Sequence, residues 1–188
     1  VSLVEAQQAT KISRIGFLIG TAPSAVVART EAFRQGLREL GYIEGKNIAI
    51  EWRYADGKID RLPQLAAELV RLKVDVIVAG GPTPTRAAKE STSTIPIVMA
   101  QHTDPVGSGL VASLARPGGN ITGLSTLAPE VSGKRLELLK EIFPKLVRVA
   151  VFGTSKSASS AQELRGVELA AGTLGLKLQL LDIVGPKD

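Results

Sequence analysis

Small hydroxyl and polar residues recur at the ends of apolar runs in this chain, and they are the residues with chemistry to offer. Thr21 and Ala22 follow RIGFLIG, Gly81 and Thr83 follow VDVIVAG, His102, Thr103 and Asp104 follow IPIVMAQ, and Ser125 and Thr126 follow NITGL. Hydroxyls and a carboxylate at such places can hydrogen-bond the polar ends of a small zwitterion. The unpaired N–H groups of the helix starts expected after Pro23, Thr83 and Asp104 favour a carboxylate. Taken singly, Thr83 and Asp104 serve equally well as plain helix caps. Trp52 and Tyr54 offer rings for stacking on an aromatic ligand, although a strand Trp is more often part of a core.

Covalent and metal chemistry find little support. His102 is the one histidine and the chain has no cysteine, so neither a nucleophile triad nor a metal cluster can be assembled around it. His102 is read as a ligand contact or a turn residue. Gly16-x-x-x-Gly20 and Gly80-Gly81 are glycine-bearing strand ends, but neither GxGxxG nor GxxxxGK[ST] occurs, so no dinucleotide or phosphate-loop site is supported. No cofactor is expected.

The elements that position these residues follow from periodicity. Residues 12–19, 74–79 and 95–100 are short apolar runs of the kind buried in parallel sheets. Residues 47–54 alternate Ile48, Ile50, Trp52 with Ala49, Glu51, Arg53, which places that strand nearer a sheet edge. Helices are expected with faces at Val26, Thr30, Phe33, Leu37, Leu40, closed by Gly41, and at Leu62, Leu65, Leu69, Leu72, capped by Asp60. A short helix follows Thr83-Pro84, where a cap precedes a first-position proline. The same device at Asp104-Pro105 predicts a helix with Val106, Leu110, Ala112 and Leu114 inward, stopped at Pro117–Asn120, before a strand at 121–125. Strand and helix alternate throughout, so the fold class is α/β, a parallel sheet covered on both faces, with ligand-facing turns beyond the strands' carboxyl ends.

After Thr126 the pattern restarts with a helix at 130–143, a strand at 147–152, a helix opened by the capping box Ser160-x-x-Glu163 and ending at Gly175, and a strand at 176–183. Two strands are too few for an independent α/β domain. Residues 12–126 are therefore expected to form one lobe and 127–188 the start of a second, incomplete one. Its strand faces are expected to lack partners and to favour a homo-oligomer through residues 127–188.

Net charge is +5 and the pI near 9.6, which raises the question of nucleic acid. Residues 12–126 carry 13 Lys/Arg against 10 Asp/Glu and residues 127–188 carry 9 against 7. The excess is spread, and with only 4% aromatics there is no basic stripe with interleaved rings, so no nucleic-acid partner is expected. No run approaches the ~18 apolar residues of a membrane span.

The strings DPVGSGLVASLARPGGNITGLS, LRELGYIEGKNIAIEWRYADG and RIGFLIG together resemble the substrate-binding proteins of ABC transporters, in the family that includes tryptophan- and tyrosine-type amino-acid binders. The resemblance runs over residues 12–188. It implies a type I periplasmic-binding-protein-like fold with Rossmann-like lobes, an extracytoplasmic and non-enzymatic receptor, a small amino-acid-like ligand, and a membrane permease as partner. It also implies ligand contacts from the second lobe near Thr154 and Ser155, and a full length that exceeds this chain by roughly the last two-fifths. Residues 1–11, beginning VSLVEAQQAT, resemble the tail of a cleaved export signal or a disordered leader. Rival readings are the effector-binding lobe of a transcription regulator, though no helix-turn-helix is read before residue 12, and a small flavodoxin-like enzyme, disfavoured by the missing phosphate loop.

Overall fold

The protein is described from a computed structural model covering residues 12–126, 128–153 and 158–182. Contacts divide the chain into two compact units, 1–100 and 101–188. The division lies upstream of the expected boundary at 126 and cuts the fourth strand.

In the first unit, β1 (Ser13–Ile19) is buried at five successive positions from Ile15 to Ile19, as a central parallel strand must be. It pairs in parallel with β2 (Ile48–Tyr54), Phe17 opposite Trp52, and with β3 (Val76–Ala79), Phe17 opposite Val78. β3 pairs in parallel with β4 (Ile97–His102), Ile77 opposite Ile97. With β5 (Ile121–Ser125) the strand order is β2-β1-β3-β4-β5, so the alternating strand is at the edge as expected.

Because side chains alternate along β1, Ile15, Phe17 and Ile19 share one face, where they meet Ile48, Val78, Phe33 and Leu37. The last two come from α1 (Val27–Glu39). Leu40, expected on that stripe, is exposed, since it is the C-cap residue and stands beyond the last helical turn. The turn closes as a Schellman motif: Gly41 N–H donates to the Arg38 carbonyl at 2.9 Å and Tyr42 N–H to that of Leu37 at 2.8 Å. Gly41 has φ +84°, a conformation glycine adopts without strain.

Gly16 lies on the opposite face, which α2 (Leu62–Arg71) covers with Leu62, Leu65, Ala66 and Leu69 buried. A Cβ on Gly16 would stand 2.9 Å from Leu69 Cδ2. Asp60 does not cap this helix. It lies in a 3-10 turn, Ile59–Arg61, and the helix starts after Arg61 without a side-chain cap, Pro63 in its first turn needing no N–H acceptor. α3 (Pro82–Ser91) packs on α2, β1 and β3.

The helix expected after Asp104-Pro105 is absent. Residues 103–120 form turns and bends, and Val106 and Leu114 of the expected inner face are exposed while Leu110 and Val111 are buried. Gly107, Ser108 and Gly109 crowd the first turn with poor helix formers, and Gly109 has φ +69°, which ends a helix there.

In the second unit, α4 (Ala128–Ile142), β6 (Arg148–Gly153), α5 (Ala158–Thr173) and β7 (Lys177–Asp182) follow the expected order. The two strands pair in parallel, Val149 opposite Leu178. Leu136, Val167, Ala171 and Leu176 form the core against Val149, Val151 and Leu178. α5 begins at Ala158, so Ser160 falls inside the helix rather than capping it. Gly175, φ +66°, ends it by a second Schellman motif, with Leu176 N–H donating to the Ala171 carbonyl at 2.8 Å. Val147, Phe152 and Leu180 are exposed.

Candidate ligand-binding site

The strand exits of the first unit come together around Gly20. Ala55 N–H donates to the Ile19 carbonyl at 2.8 Å and Gly57 N–H to the Gly20 carbonyl at 2.9 Å, which joins the ends of β1 and β2. A Cβ on Gly20 would lie 3.7 Å from Pro84 Cγ, so the start of α3 adjoins the same point. Thr21 is exposed and Ala22 half-buried. Ala22 caps a 3-10 turn, Pro23–Ala25, by accepting the Ala25 N–H at 3.1 Å. α1 then starts after Val26 with no side-chain cap, and an α-helix has no intrahelical acceptor for the donors of its first turn.

The start of α3 differs from the expected cap. Gly81, φ +124°, is the N-cap, and its carbonyl accepts Thr85 N–H at 3.0 Å and Thr85 Oγ1–H at 2.7 Å. Thr83 is inside the first turn and exposed. With Pro82 and Pro84 on either side, Thr83 holds the one N–H of the first three helical positions, so this terminus offers an anion fewer donors than an ordinary helix start.

In the second unit, His102 is 2% exposed. Its Nδ1 accepts the Asp104 N–H at 3.1 Å, while its carbonyl accepts the Thr126 N–H at 2.9 Å and the Thr126 hydroxyl at 3.4 Å. The ends of β4 and β5 are thereby tied together, with Thr103, Asp104 and Ser125 half-buried and Thr126 exposed beside them. Asp104 Oδ1 accepts Gly107 N–H at 2.8 Å and its carbonyl accepts Ser108 N–H at 3.2 Å. These are cap contacts for a single turn, and they consume donors expected to be open. Thr154 and Ser155 lie outside the described residues.

Two charged residues beyond the end of β2, Asp56 and Arg61, are not among the expected site residues. Asp56, φ +55°, follows β2 and accepts from Arg61 Nη1 at 3.1 Å. Asp56-Gly57 signals a tight turn, but its place directly after a parallel strand is the signal that ranks it with the other exits.

Trp52 belongs to the core layer. It stacks on Phe17 with centroids 5.0 Å apart and on Tyr54 at 6.2 Å, its Nε1–H donates to Glu44 at 3.1 Å, and Arg34 lies 4.6 Å over its ring. Arg34 also pairs with Glu44 and Glu31, each at 2.7 Å, and the bond to Glu44 holds its guanidinium pKa above the ordinary value. For Glu44, burial pushes the carboxyl up, but hydrogen bonds from Arg34 and Trp52 with the Arg34 charge outweigh it, and the net shift is downward. Tyr54 is raised, chiefly by burial. A cavity of about 120 Å3 lined by Arg34, Leu37, Arg38, Tyr42, Ile43, Glu44 and Ile50 lies under the α1 C-terminal loop. Its floor is apolar and Arg34 and Glu44 neutralise each other, so the strand exits are the better candidates.

Among the described residues no group of His, Cys, Asp and Glu is placed to hold a metal, and no helix is long and apolar enough to cross a membrane.

The first class the fold defines is α/β, a parallel sheet with small polar residues at its strand exits. Residues 19–188 match the family model described as ABC transporter substrate binding protein, and the chain belongs to that family. It is similar to a tyrosine-binding protein of Clostridioides difficile, 37% identical over 133 residues, covering 70% of this chain and 38% of that one. In structure it is similar to a conserved domain protein from Vibrio cholerae, 32% identical with a TM-score of 0.80, covering 92% of this chain and 58% of the other. A ligand-free, open substrate binding protein with adhesive properties from Clostridium difficile is 28% identical with a TM-score of 0.68, covering 93% and 58%. The fold is also shared with an ABC domain in complex with L-Trp from Streptococcus pneumonia, 24% identical with a TM-score of 0.77, covering 91% and 57%. The chain thus spans well under two thirds of the length of each of these relatives.

Proposed function

We propose that this chain is the ligand-binding part of an extracytoplasmic, non-enzymatic receptor that takes a small amino-acid-like solute and delivers it to the membrane permease of an ABC transporter. The observation that carries the reading is the family match across residues 19–188. The tyrosine-binding relative makes an aromatic amino acid the first ligand to try. Residues 12–126 are taken as the ligand lobe and 127–188 as part of a second.

The site residues take roles by chemistry. Thr21, Ala22, Gly81 and Thr83, with the N–H groups at the start of α1, suit a carboxylate. The Asp104 charge suits an ammonium group, and the hydroxyls of Thr103, Ser125 and Thr126 suit its neighbours. Thr154 and Ser155 remain proposed contacts. His102, which is buried, is taken to act through its neighbours rather than by direct contact. The exposed Val147, Phe152 and Leu180 support self-association through residues 127–188. A monomer in sedimentation at high concentration would remove that part of the reading.

The test is a thermal-shift screen of free amino acids, with L-tyrosine first, against nucleotides and flavins. A ligand at ~100 times its Kd stabilises the folded state by about 2.7 kcal/mol. Shifts confined to amino acids support the receptor, and shifts confined to nucleotides or flavins overturn it.

A further inference from the structure

His102 stands at the end of β4. It is buried to 2% exposure, yet it ends a strand whose next residues are half-open. A backbone N–H can donate only to an unprotonated ring nitrogen, so the Asp104 N–H at 3.1 Å from Nδ1 requires the neutral ring to carry its proton on Nε2. The contact reaches from a side chain to the N–H two residues on, as the Asn or Asp side chain does in an Asx-turn. It aims Asp104, whose Oδ1 then accepts Gly107 N–H at 2.8 Å. On the other side, the same residue's carbonyl receives Thr126 N–H at 2.9 Å. One residue therefore stands between the end of β5 and the turn that follows β4.

We propose that His102 is a positioning residue: its imidazole, as the Nε2–H tautomer, and its carbonyl together fix Asp104 and Thr126 in the arrangement that meets the ligand. The proposal rests on the amino-acid receptor reading above, and burial gives it force. Water cannot easily replace the imidazole as acceptor, so removing the acceptor leaves the Asp104 N–H to find another partner by moving the turn.

Two variants and one spectrum test it. His102→Asn keeps an acceptor able to reach the Asp104 N–H, whereas His102→Leu fills similar space without one. With L-tyrosine as probe in calorimetry, His102→Leu is expected to lose about tenfold in affinity and His102→Asn to recover most of it. Equal loss in both, tracking equal loss of melting temperature, assigns His102 to packing alone and overturns the proposal. Independently of any ligand, histidine-labelled protein gives one ring in a proton–nitrogen correlation spectrum, since the chain has a single histidine. An unprotonated Nδ1 with a protonated Nε2, and an Asp104 amide that exchanges faster in His102→Leu, support it. An Nδ1–H tautomer refutes it. If the wild type fails to bind L-tyrosine or any other amino acid, the receptor reading fails while the spectrum still decides the positioning.

Discussion

The indole of Trp52 lies nearly parallel to the ring of Phe17, centroids 5.0 Å apart and planes 18° from one another. This stack joins the edge strand β2 to its neighbour β1, and α1 completes it by setting Phe33 edge-on to both rings. Trp52 is therefore expected to act on stability rather than on ligand binding. Trp52→Ala should cost about 2–3 kcal/mol in urea unfolding, below the ~3–5 kcal/mol typical of wholly buried aromatics because the ring is half-open. Ligand affinity in calorimetry should stay unchanged.

Glu44 links that stack to pH. Its folded-state pKa is lowered, so its contribution to stability is present above the unfolded-state value and is lost as pH falls through the folded one. Glu44→Gln should therefore lower the urea midpoint at neutral pH and leave little difference from wild type in acid below both values. Emission of Trp52, the one tryptophan, reports both transitions. A difference that persists undiminished in acid would detach Glu44 from the effect.

Gly81 should respond to any side chain. Nothing lies within 4 Å of a Cβ built there, but φ is +124°, so the cost is backbone strain alone, about 1–3 kcal/mol. Gly81→Ala should lower the melting temperature and weaken ligand binding together, as the start of α3 is re-aimed. Gly41→Ala has a comparable backbone conflict at φ +84° far from the exits, and should lower stability with affinity intact.

What could be read in the sequence depended on how local its cause is. The runs at β1, β3 and β4 and the glycines at 41 and 175 act within a few residues, so those strands and both helix ends are legible. The stretch after Asp104 was misread because a cap and a proline signal a helix start, while the glycines at 107 and 109 decide whether it continues. Thr83 was misplaced for a related reason: a second proline at 82 allowed the helix to begin earlier, from Gly81. The pairing of Thr126 with His102, and the burial of that imidazole, depend on strand neighbours and have no sequence signature. The ion pair of Asp56 with Arg61 is not legible either, because an Asp-Gly pair reads as a turn wherever it stands.

Asp104 remains the residue whose two roles can be separated most cleanly. Its Oδ1 accepts Gly107 N–H at 2.8 Å, a cap contact that an asparagine oxygen makes about as well. Asp104→Asn should therefore leave the turn and the melting temperature nearly unchanged. Only the negative charge is removed. If that charge receives a ligand ammonium group, the charge-assisted hydrogen bond is worth roughly 1.5–3 kcal/mol, and its loss weakens binding by about one to two orders of magnitude. Calorimetric titration of wild type and Asp104→Asn with the same amino acid, with melting temperature as the folding control, makes the comparison. Unchanged affinity at unchanged melting temperature would leave Asp104 as a cap and nothing more. A loss of affinity would place the ammonium end of the ligand beside the turn that His102 holds.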